Sequence, residues 1–145
     1  MGEYTSPHLQ HINERIHVGG QPIDDESLTA LLAEIDQARQ RWAAGLDDFV
    51  PIDRVLTYFE LMTAAAFTHF ANQSLDVVVV EVGLGGRLDA TNVVDPVLTA
   101  ITTVGLDHMD QLGHDIAAIA GEKAGIIKNG RPVIVGAMPE DARRV

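Results

Sequence analysis

The chain has 145 residues, of which 46% are hydrophobic, and a formal net charge of −11 at pH 7. This length and hydrophobic content predict a folded protein with a sizeable core. The acidic balance argues against nucleic acid and anionic membranes as primary partners, and an acidic protein that handles anionic substrates needs bound cations. The sequence has no cysteine, which excludes disulfides and thiol chemistry, and shows no signal peptide or apolar run that could span a bilayer. We therefore expect a cytoplasmic location.

The N-terminal part of the sequence predicts a loop, a short strand pair and a helix. Residues 4–9 are expected to form a loop around Pro7, and residues 14–23 a pair of strands that turns at Gly19-Gly20. Asp24 or Asp25 can cap the helix that follows. The apolar residues of this helix have helical spacing and predict one buried stripe; they are Leu28, Leu31, Leu32, Ile35, Ala38 and Trp42.

A second helix is predicted after an exposed connection at residues 45–51. Thr57 and Glu60 have the spacing of a capping box, in which each side chain satisfies a backbone N–H at the helix start. The helix should run to about Ala71, where Asn72 can close it. A capped amphipathic helix packed on a sheet accounts for this segment fully.

The stretch from Asp76 to Asn92 organises the second half of the sequence. Five of the six residues from Val77 to Val82 are valines, the exception being Glu81. Such a β-branched run predicts a strand buried on both faces, as in a parallel sheet under helices. Glu81 would then lie at the carboxyl end of the strand, where open α/β sheets bind ligands. A buried carboxylate there requires a cation or strong hydrogen-bond donors.

Three glycines between positions 83 and 86 follow at once and allow the backbone to turn sharply or to approach a ligand closely. The loop then presents Arg87 and Asp89. A core strand with an ordinary glycine turn remains an alternative interpretation. A dinucleotide-binding fingerprint is a weaker one, because Leu88 stands where the third glycine is required.

The C-terminal part predicts two further strands and a helix. Residues 97–104 are expected to form a second buried strand, which ends in Gly105-Leu106-Asp107-His108. A lone histidine at such a position is more often structural than a ligand, but the position that His108 shares with Glu81 favours a ligand. Asp115 can cap a helix that stops at residues 129–130, and residues 132–135 begin a third strand. The order of elements predicts an α/β fold with a parallel sheet and helices on both faces.

Spacing alone places Lys123 on the solvated face of this last helix. The apolar face of the same helix is predicted to consist of Ile116, Ile119, Ala120 and Ile126.

Five ordered segments carry a more specific signal. They are Thr5-Ser-Pro-His-Leu9 with Glu14-Arg-Ile16, Thr57-x-Phe-Glu60, Glu81 to Asn92, Leu106-Asp-His108 with Leu112-Gly113, and Glu122-Lys-Ala-Gly-Ile126. In these segments the chain resembles the folylpolyglutamate synthase and dihydrofolate synthase family, which belongs to the Mur-ligase-like ATP-dependent amide ligases. The resemblance covers nearly the whole chain in the family's order and spacing.

The resemblance implies a ligase that uses ATP to activate a carboxylate of dihydropteroate or folate as an acyl phosphate, which the amine of L-glutamate then attacks. Ser6 and Glu81 would help to hold one magnesium ion (Mg2+), and His108 would join Glu81 around a second. Lys123 would match the lysine that becomes carbamylated and so adds an oxygen ligand near the metal. Lys123 and His108 are the expected catalytic residues. The positions that would contact the pterin are Thr57, Phe59, Asp89 and Ala90.

If the resemblance holds, the side-chain heads of four residues should lie around one cleft at the carboxyl edge of the sheet. These residues are Ser6, Glu81, His108 and Lys123.

One motif of the family is missing. The sequence contains no Gly-x4-Gly-Lys-Ser/Thr phosphate loop, and the nucleotide-binding residues therefore stay unknown. We expect residues 1–145 to be part of the central ATPase domain, with a partial P-loop-NTPase-like sheet that lacks its first strand and without the C-terminal glutamate-ligase domain. Such a piece should be inactive by itself, should bind ATP poorly and could self-associate through an exposed sheet edge.

Two other functions remain open. One is a Mur-type ligase that acts on cell-wall precursors. Thr57-x-Phe-Glu60 and Asp89-Ala90 favour a folate ligase over it, since these residues would face the pterin. The other is a non-catalytic α/β binding module.

Overall fold

The computed structural model of the protein describes residues 1–44 and 56–145. The predicted connection at residues 45–51 lies outside the described residues. The chain divides into two compact units, Met1–Glu81 and Val82–Val145, and each is described by itself. Within the described ranges, no helix is both long and apolar enough to cross a membrane.

The first unit contains a four-stranded sheet. Its strands are β1 (Gly2–Tyr4), β2 (Ile16–Val18), β3 (Gln21–Pro22) and β4 (Val78–Val80), in the order β3-β2-β1-β4. β1 pairs antiparallel with β2 and parallel with β4. The predicted strand pair is confirmed as β2 and β3, although Glu14 and Arg15 belong to a 3-10 turn that precedes it. The predicted loop at residues 4–9 is one residue too long, because Tyr4 ends β1.

Helix α1 (Asp25–Ala44) packs on this sheet through its first half. Asp24 is the cap, since its carboxylate accepts the N–H of Ser27 at 2.8 Å. Four residues of the predicted stripe are buried or packed against the core: Leu28, Leu31, Leu32 and Ile35. The prediction is wrong for Ala38, which is exposed, and for Trp42, which is 58% exposed. A helix of 20 residues is about 30 Å long, and its second half extends past the core.

Helix α2 (Tyr58–Ala71) confirms the predicted capping box and the predicted end at Asn72. The Thr57 hydroxyl oxygen accepts the N–H of Glu60 at 3.2 Å, and the Glu60 carboxylate accepts the N–H of Thr57 at 2.7 Å. The buried side chains of α2 meet those of α1 and the sheet in one core. That core consists of Tyr4, Ile16, Ile23, Leu28, Leu31, Met62, Ala65, Ala66 and Phe70.

The predicted burial of the valine run is wrong. Val77, Val78 and Val79 are 55%, 39% and 52% exposed. β4 lies at the edge of its sheet, with β1 as its one strand partner among the described residues. Only Val80 at its end packs against the core. The run of valines therefore predicted the strand correctly, but not the solvent exposure of its side chains.

The second unit contains a two-stranded parallel sheet of β5 (Thr99–Ile101) and β6 (Val133–Val135). Its helices are α3 (Met109–Leu112), α4 (Ile116–Ala124) and α5 (Glu140–Arg143). They pack around Val104, Ile119, Ala120 and Ala142.

Two details of the second unit differ from the prediction. β5 is shorter than residues 97–104 and is not buried throughout, since Val97 is 79% exposed. Helix α4 starts at the predicted cap, where Asp115 accepts the N–H of Ala118 at 2.7 Å. It ends at Ala124 rather than near residue 130, because the chain caps at Gly125.

The α/β class with parallel strand pairing is confirmed. The described strands form two sheets rather than one, and the larger sheet is mixed because β2 and β3 add antiparallel strands.

The Thr57 cap provides a test of the first unit. Thr57→Ala should lower the free energy of unfolding by about 1 kcal/mol, because the N–H of Glu60 at the start of α2 loses its acceptor. Urea unfolding of the purified chain measures this loss. Thr29→Ala is the matched control, since Thr29 is exposed within α1, and we expect a change below about 0.5 kcal/mol. Equal effects of the two substitutions would contradict the capping role.

Candidate active site

Ser6 and Glu81 lie together although 75 residues separate them in the sequence. Each follows one of two parallel strands, β1 and β4, whose last residues Tyr4 and Val80 are in register. The N–H of Glu81 donates to the carbonyl of Tyr4 at 2.8 Å. The N–H of Ser6 donates to Oε2 of Glu81 at 2.7 Å. The parallel pairing therefore places a hydroxyl and a carboxylate at the same edge of the sheet.

The Glu81 carboxylate is exposed, and the prediction that it is buried is wrong. It follows an edge strand that solvent reaches from both faces, and the Ser6 amide supplies a strong donor. Because the carboxylate is exposed, it does not need a cation to offset a cost of burial. What favours Glu81 as a metal ligand is its position beside Ser6, which carries a hydroxyl, and the oxygen chemistry of both side chains.

Those donors fit magnesium. Mg2+ prefers hard oxygen ligands, and Ser6 and Glu81 offer a hydroxyl and a carboxylate. Oε2 of Glu81 accepts the Ser6 amide, whereas the structure gives Oε1 no protein donor among the described residues. The carboxylate can thus keep its orientation through one oxygen and offer the other to a cation.

Glu14, whose role the sequence analysis missed, holds the loop that carries Ser6. Its carboxylate accepts three consecutive backbone N–H groups, those of Leu9, Gln10 and His11, at 2.7, 3.0 and 2.8 Å. These bonds, with that of Leu9 the strongest, lower the pKa of the Glu14 carboxyl because they favour its charged form. The sequence signal that could have predicted this role is an acidic residue a few positions after a loop, where backbone N–H groups need an acceptor.

Thr57 and Phe59, two of the predicted pterin contacts, both have structural partners. The Thr57 hydroxyl takes part in the cap of α2. Phe59 is half-buried against the core, with its ring centroid 6.0 Å from that of Tyr4 and the rings tilted by 33°. The pterin assignment stays a prediction for both.

Asp89 organises the glycine-rich loop of the second unit. Its Oδ2 accepts the N–H groups of Gly83 and Leu84, each at 3.1 Å. Its Oδ1 accepts the N–H of Thr91 at 2.9 Å and also the hydroxyl of Thr91. Ala90 begins the 3-10 turn that Asp89 caps. Four accepted bonds fill the capacity of a carboxylate.

The glycines of this loop permit close packing on α4. A Cβ atom at Gly86 would lie 2.8 Å from the carbonyl oxygen of Glu122, and one at Gly125 would lie 2.3 Å from Cβ of Arg87. Arg87, predicted to be presented from the loop, instead forms an ion pair with Glu122 at 2.8 Å. Two of the five matched segments, residues 81–92 and 122–126, thus contact each other closely through residues 86–92 and 122–126.

Asn92 and Lys128 reinforce this contact, and the sequence analysis gave neither a role. The Asn92 amide donates to the carbonyl of Gly125 at 3.1 Å, and the Lys128 ammonium donates to the Asn92 side-chain oxygen at 2.8 Å. No local pattern pointed to these two bonds, because the residues that each one joins lie more than 30 positions apart.

Lys123 and His108, the predicted catalytic residues, both lie in the second unit. Lys123 is half-buried on α4, in the segment that the glycine-rich loop contacts, and not fully solvated as its spacing suggested. His108 is exposed, with its Nε2 3.7 Å from a carboxylate oxygen of Asp107. Its backbone is left-handed, at φ 50°. Such strain in a residue other than glycine is concentrated at functional sites.

No group of three or more His, Cys, Asp or Glu side chains that could hold a metal occurs in the part of the chain that the structure describes. The predicted metal ligands include only two residues of these types, Glu81 and His108, and these belong to different units. The convergence of Ser6, Glu81, His108 and Lys123 therefore stays a prediction.

Comparison with known proteins identifies relatives over the whole length of the chain. No protein-family model matches it. The dihydrofolate synthase/folylpolyglutamate synthase of Bacillus subtilis is 46% identical over 149 aligned positions, which cover 100% of this chain and 33% of that protein. The chain is a homologue of the folylpolyglutamate and dihydrofolate synthases. It spans about a third of the length of these relatives.

Solved structures of folylpolyglutamate synthases agree with this relationship. The FPGS-AMPPCP-folate complex has a TM-score of 0.90 and 44% identity, covering 99% of this chain and 34% of that one. A bifunctional folylpolyglutamate synthase/dihydrofolate synthase with Mn, AMPPNP and L-glutamate bound has a TM-score of 0.81 and 42% identity, covering 99% and 33%. The likeness to both at this identity confirms the resemblance seen in the five segments.

The packing of the glycine-rich loop on α4 gives a second test. Gly86→Ala should lower the free energy of unfolding by about 1–3 kcal/mol, because the new methyl group would overlap the carbonyl of Glu122. Gly105→Ala is the control, since nothing lies within 4 Å of its added Cβ. Thermal unfolding of both variants measures the difference. If Gly86→Ala proves as stable as Gly105→Ala, the close contact is wrong.

Proposed function

We propose that this chain is part of an ATP- and magnesium-dependent ligase that joins L-glutamate to dihydropteroate or folate. The observation that carries the proposal is the pairing of Ser6 and Glu81 at the carboxyl ends of β1 and β4, in a chain homologous to folate ligases. The relatives' complexes with an ATP analogue, folate, manganese and L-glutamate support the same substrates and a divalent cation. The folate relatives also favour this function over a cell-wall ligase or a non-catalytic module.

The reaction would proceed in two balanced steps. The substrate carboxylate takes the terminal phosphoryl group of ATP, which releases ADP and gives an acyl phosphate. The amine of L-glutamate then attacks the acyl carbon, loses a proton and expels phosphate, which leaves an amide. The first step brings negative groups together, and bound magnesium supplies the charge that offsets their repulsion.

The residues of this chain would prepare that environment. Ser6 would contribute its hydroxyl and Glu81 its Oε1 to the cation, while the Ser6 N–H fixes the orientation of Glu81 before any ligand arrives. His108 would join Glu81 at a second magnesium. Lys123, once carbamylated, would add an oxygen ligand, and its half-buried position beside the glycine-rich loop is compatible with a shielded amine.

The pterin would be bound by Thr57, Phe59, Asp89 and Ala90. Phe59 can offer a ring face, which is worth roughly 1 kcal/mol beyond the area it buries. The carboxylate of Asp89 already accepts four hydrogen bonds within its own loop. We therefore infer that Asp89 acts on the pterin through the backbone shape that it imposes on residues 83–91.

Two further aspects belong to this proposal. We infer a cytoplasmic location from the lack of cysteine and from the folate substrates.

We also infer that copies of the isolated chain can associate through the outer edge of β4, where three valines are exposed.

A chimera tests the proposed function. The matched segment of the Bacillus subtilis relative is replaced by this chain, and ATP-dependent incorporation of labelled L-glutamate into folate is measured. We expect activity in the chimera and a loss of roughly 100-fold or more with Glu81→Gln, which removes a charged ligand. Asp76→Asn is the control, because Asp76 is an exposed acid just before β4, and it should leave the rate unchanged.

A folded chimera without any ligase activity would contradict the proposed function. Full activity of Glu81→Gln would instead leave the function standing and remove the role of Glu81.

A further inference from the structure

Arg15 is the one charged side chain among the buried residues of the described chain. It is 8% exposed, and it ends the 3-10 turn that precedes β2. Arg15 belongs to the matched segment Glu14-Arg-Ile16, and no pattern in the sequence predicts a role for it.

The structure records no carboxylate within ion-pair distance of Arg15 among the described residues. Four other arginines do have such partners: Arg39, Arg87, Arg131 and Arg144 pair with Asp36, Glu122, Asp95 and Glu140. The sequence has 21 acidic residues against 10 lysines and arginines, so acids are not scarce. An anion from outside the chain could therefore be the counter-ion that the described residues do not supply.

Two neighbours fix the guanidinium of Arg15. Its Nε donates to Nδ1 of His8 at 2.8 Å. Its Cζ lies 5.3 Å from the ring centroid of Tyr58, a cation–π contact at the first residue of α2. The Nε edge of the guanidinium thus bonds to His8, and one of its faces contacts Tyr58. The two terminal nitrogens, Nη1 and Nη2, are left for another acceptor.

These terminal nitrogens reach solvent. Every fully buried side-chain nitrogen and oxygen in the described ranges has a hydrogen-bond partner, whereas the Nη atoms of Arg15 have no protein acceptor there. Two parallel N–H donors on a rigid plane match the two oxygens of a carboxylate. His8 adds a further donor, because a neutral imidazole that accepts at Nδ1 carries its proton on Nε2.

We propose that Arg15, framed by His8 and Tyr58, is a binding subsite for a carboxylate ligand. The subsite needs neither ATP nor metal, so its failure would leave the proposed ligase function standing. If that function holds, the subsite would take a carboxylate of an acidic substrate. The alternative role of Arg15 is to connect the loop of His8 to α2 without binding any ligand.

Titration of the purified, 15N-labelled chain with sodium benzoate tests the subsite. NMR is suited to it, because a small carboxylate held by one arginine should bind at roughly 1 mM. We expect saturable shifts of the Arg15 Nε–Hε signal and of the backbone amide signals of His8 and Tyr58. The two amide signals should report binding weaker by about tenfold or more in Arg15→Gln, since hydrogen bonds to a charged group are lost. Arg41→Gln is the matched control at an exposed arginine of α1 and should bind benzoate like the unmodified chain.

Two further arms separate the remaining outcomes. Inorganic phosphate at equal ionic strength should shift the Arg15 signal less than benzoate, and equal or tighter phosphate binding would overturn the carboxylate assignment. Tyr58→Leu keeps Arg15 but removes the ring that orients it, so binding should weaken several-fold even if Arg15→Gln does not fold. An Arg15 signal that does not move with benzoate in the unmodified chain would show that Arg15 only connects the loop to α2.

Discussion

The parallel pairing of β1 with β4 is the constraint on which the candidate site depends. Because Tyr4 and Val80 are in register, the next residues of both strands emerge side by side. The Ser6 N–H can then reach the Glu81 carboxylate. A slip of one residue would turn each side chain to the opposite face and separate the two groups. The pairing of the two strands therefore positions the backbone of both residues, and the Ser6 N–H orients the Glu81 carboxylate.

Several residues of the matched segments have structural roles that do not involve a ligand. Glu14 is needed to hold three amides of the Ser6 loop, Thr57 and Glu60 to cap α2, and Gly86 to let its loop approach α4. The carboxylate of Asp89 accepts four hydrogen bonds, all from residues of its own loop. The matched segments thus form a framework in which several polar side chains are already engaged in structural hydrogen bonds. In contrast, the Nη atoms of Arg15 and the Oε1 atom of Glu81 have no protein hydrogen-bond partner among the described residues.

The features predicted correctly from sequence are those that local chemistry determines. The cap at Thr57, the cap at Asp115 and the hairpin at Gly19-Gly20 each depend on residues within a few positions of one another. Burial was predicted poorly, because the exposure of Val77 and of Glu81 depends on what covers an edge strand and not on the strand's own residues. The three-residue strand β1 was missed for a related reason, since its existence follows from its partners β2 and β4.

The candidate site was predicted mainly through the resemblance of ordered segments. Physical reasoning from residues alone identified Glu81 and the Asp107-His108 pair, but only as polar groups at strand ends. The left-handed backbone of His108 has no signal in the sequence. The same holds for the buried guanidinium of Arg15, which has no carboxylate partner among the described residues and whose environment depends on Tyr58 of α2.

The central claim is that Ser6 and Glu81 share one divalent cation. The most direct measurement is anomalous X-ray scattering from crystals of the chimera grown with Mn2+ and a non-hydrolysable ATP analogue. We predict a manganese peak within about 2–2.3 Å of both the Ser6 hydroxyl and a Glu81 carboxylate oxygen. A manganese peak that contacts neither side chain, with Glu81 still bonded only to the Ser6 amide, would contradict it.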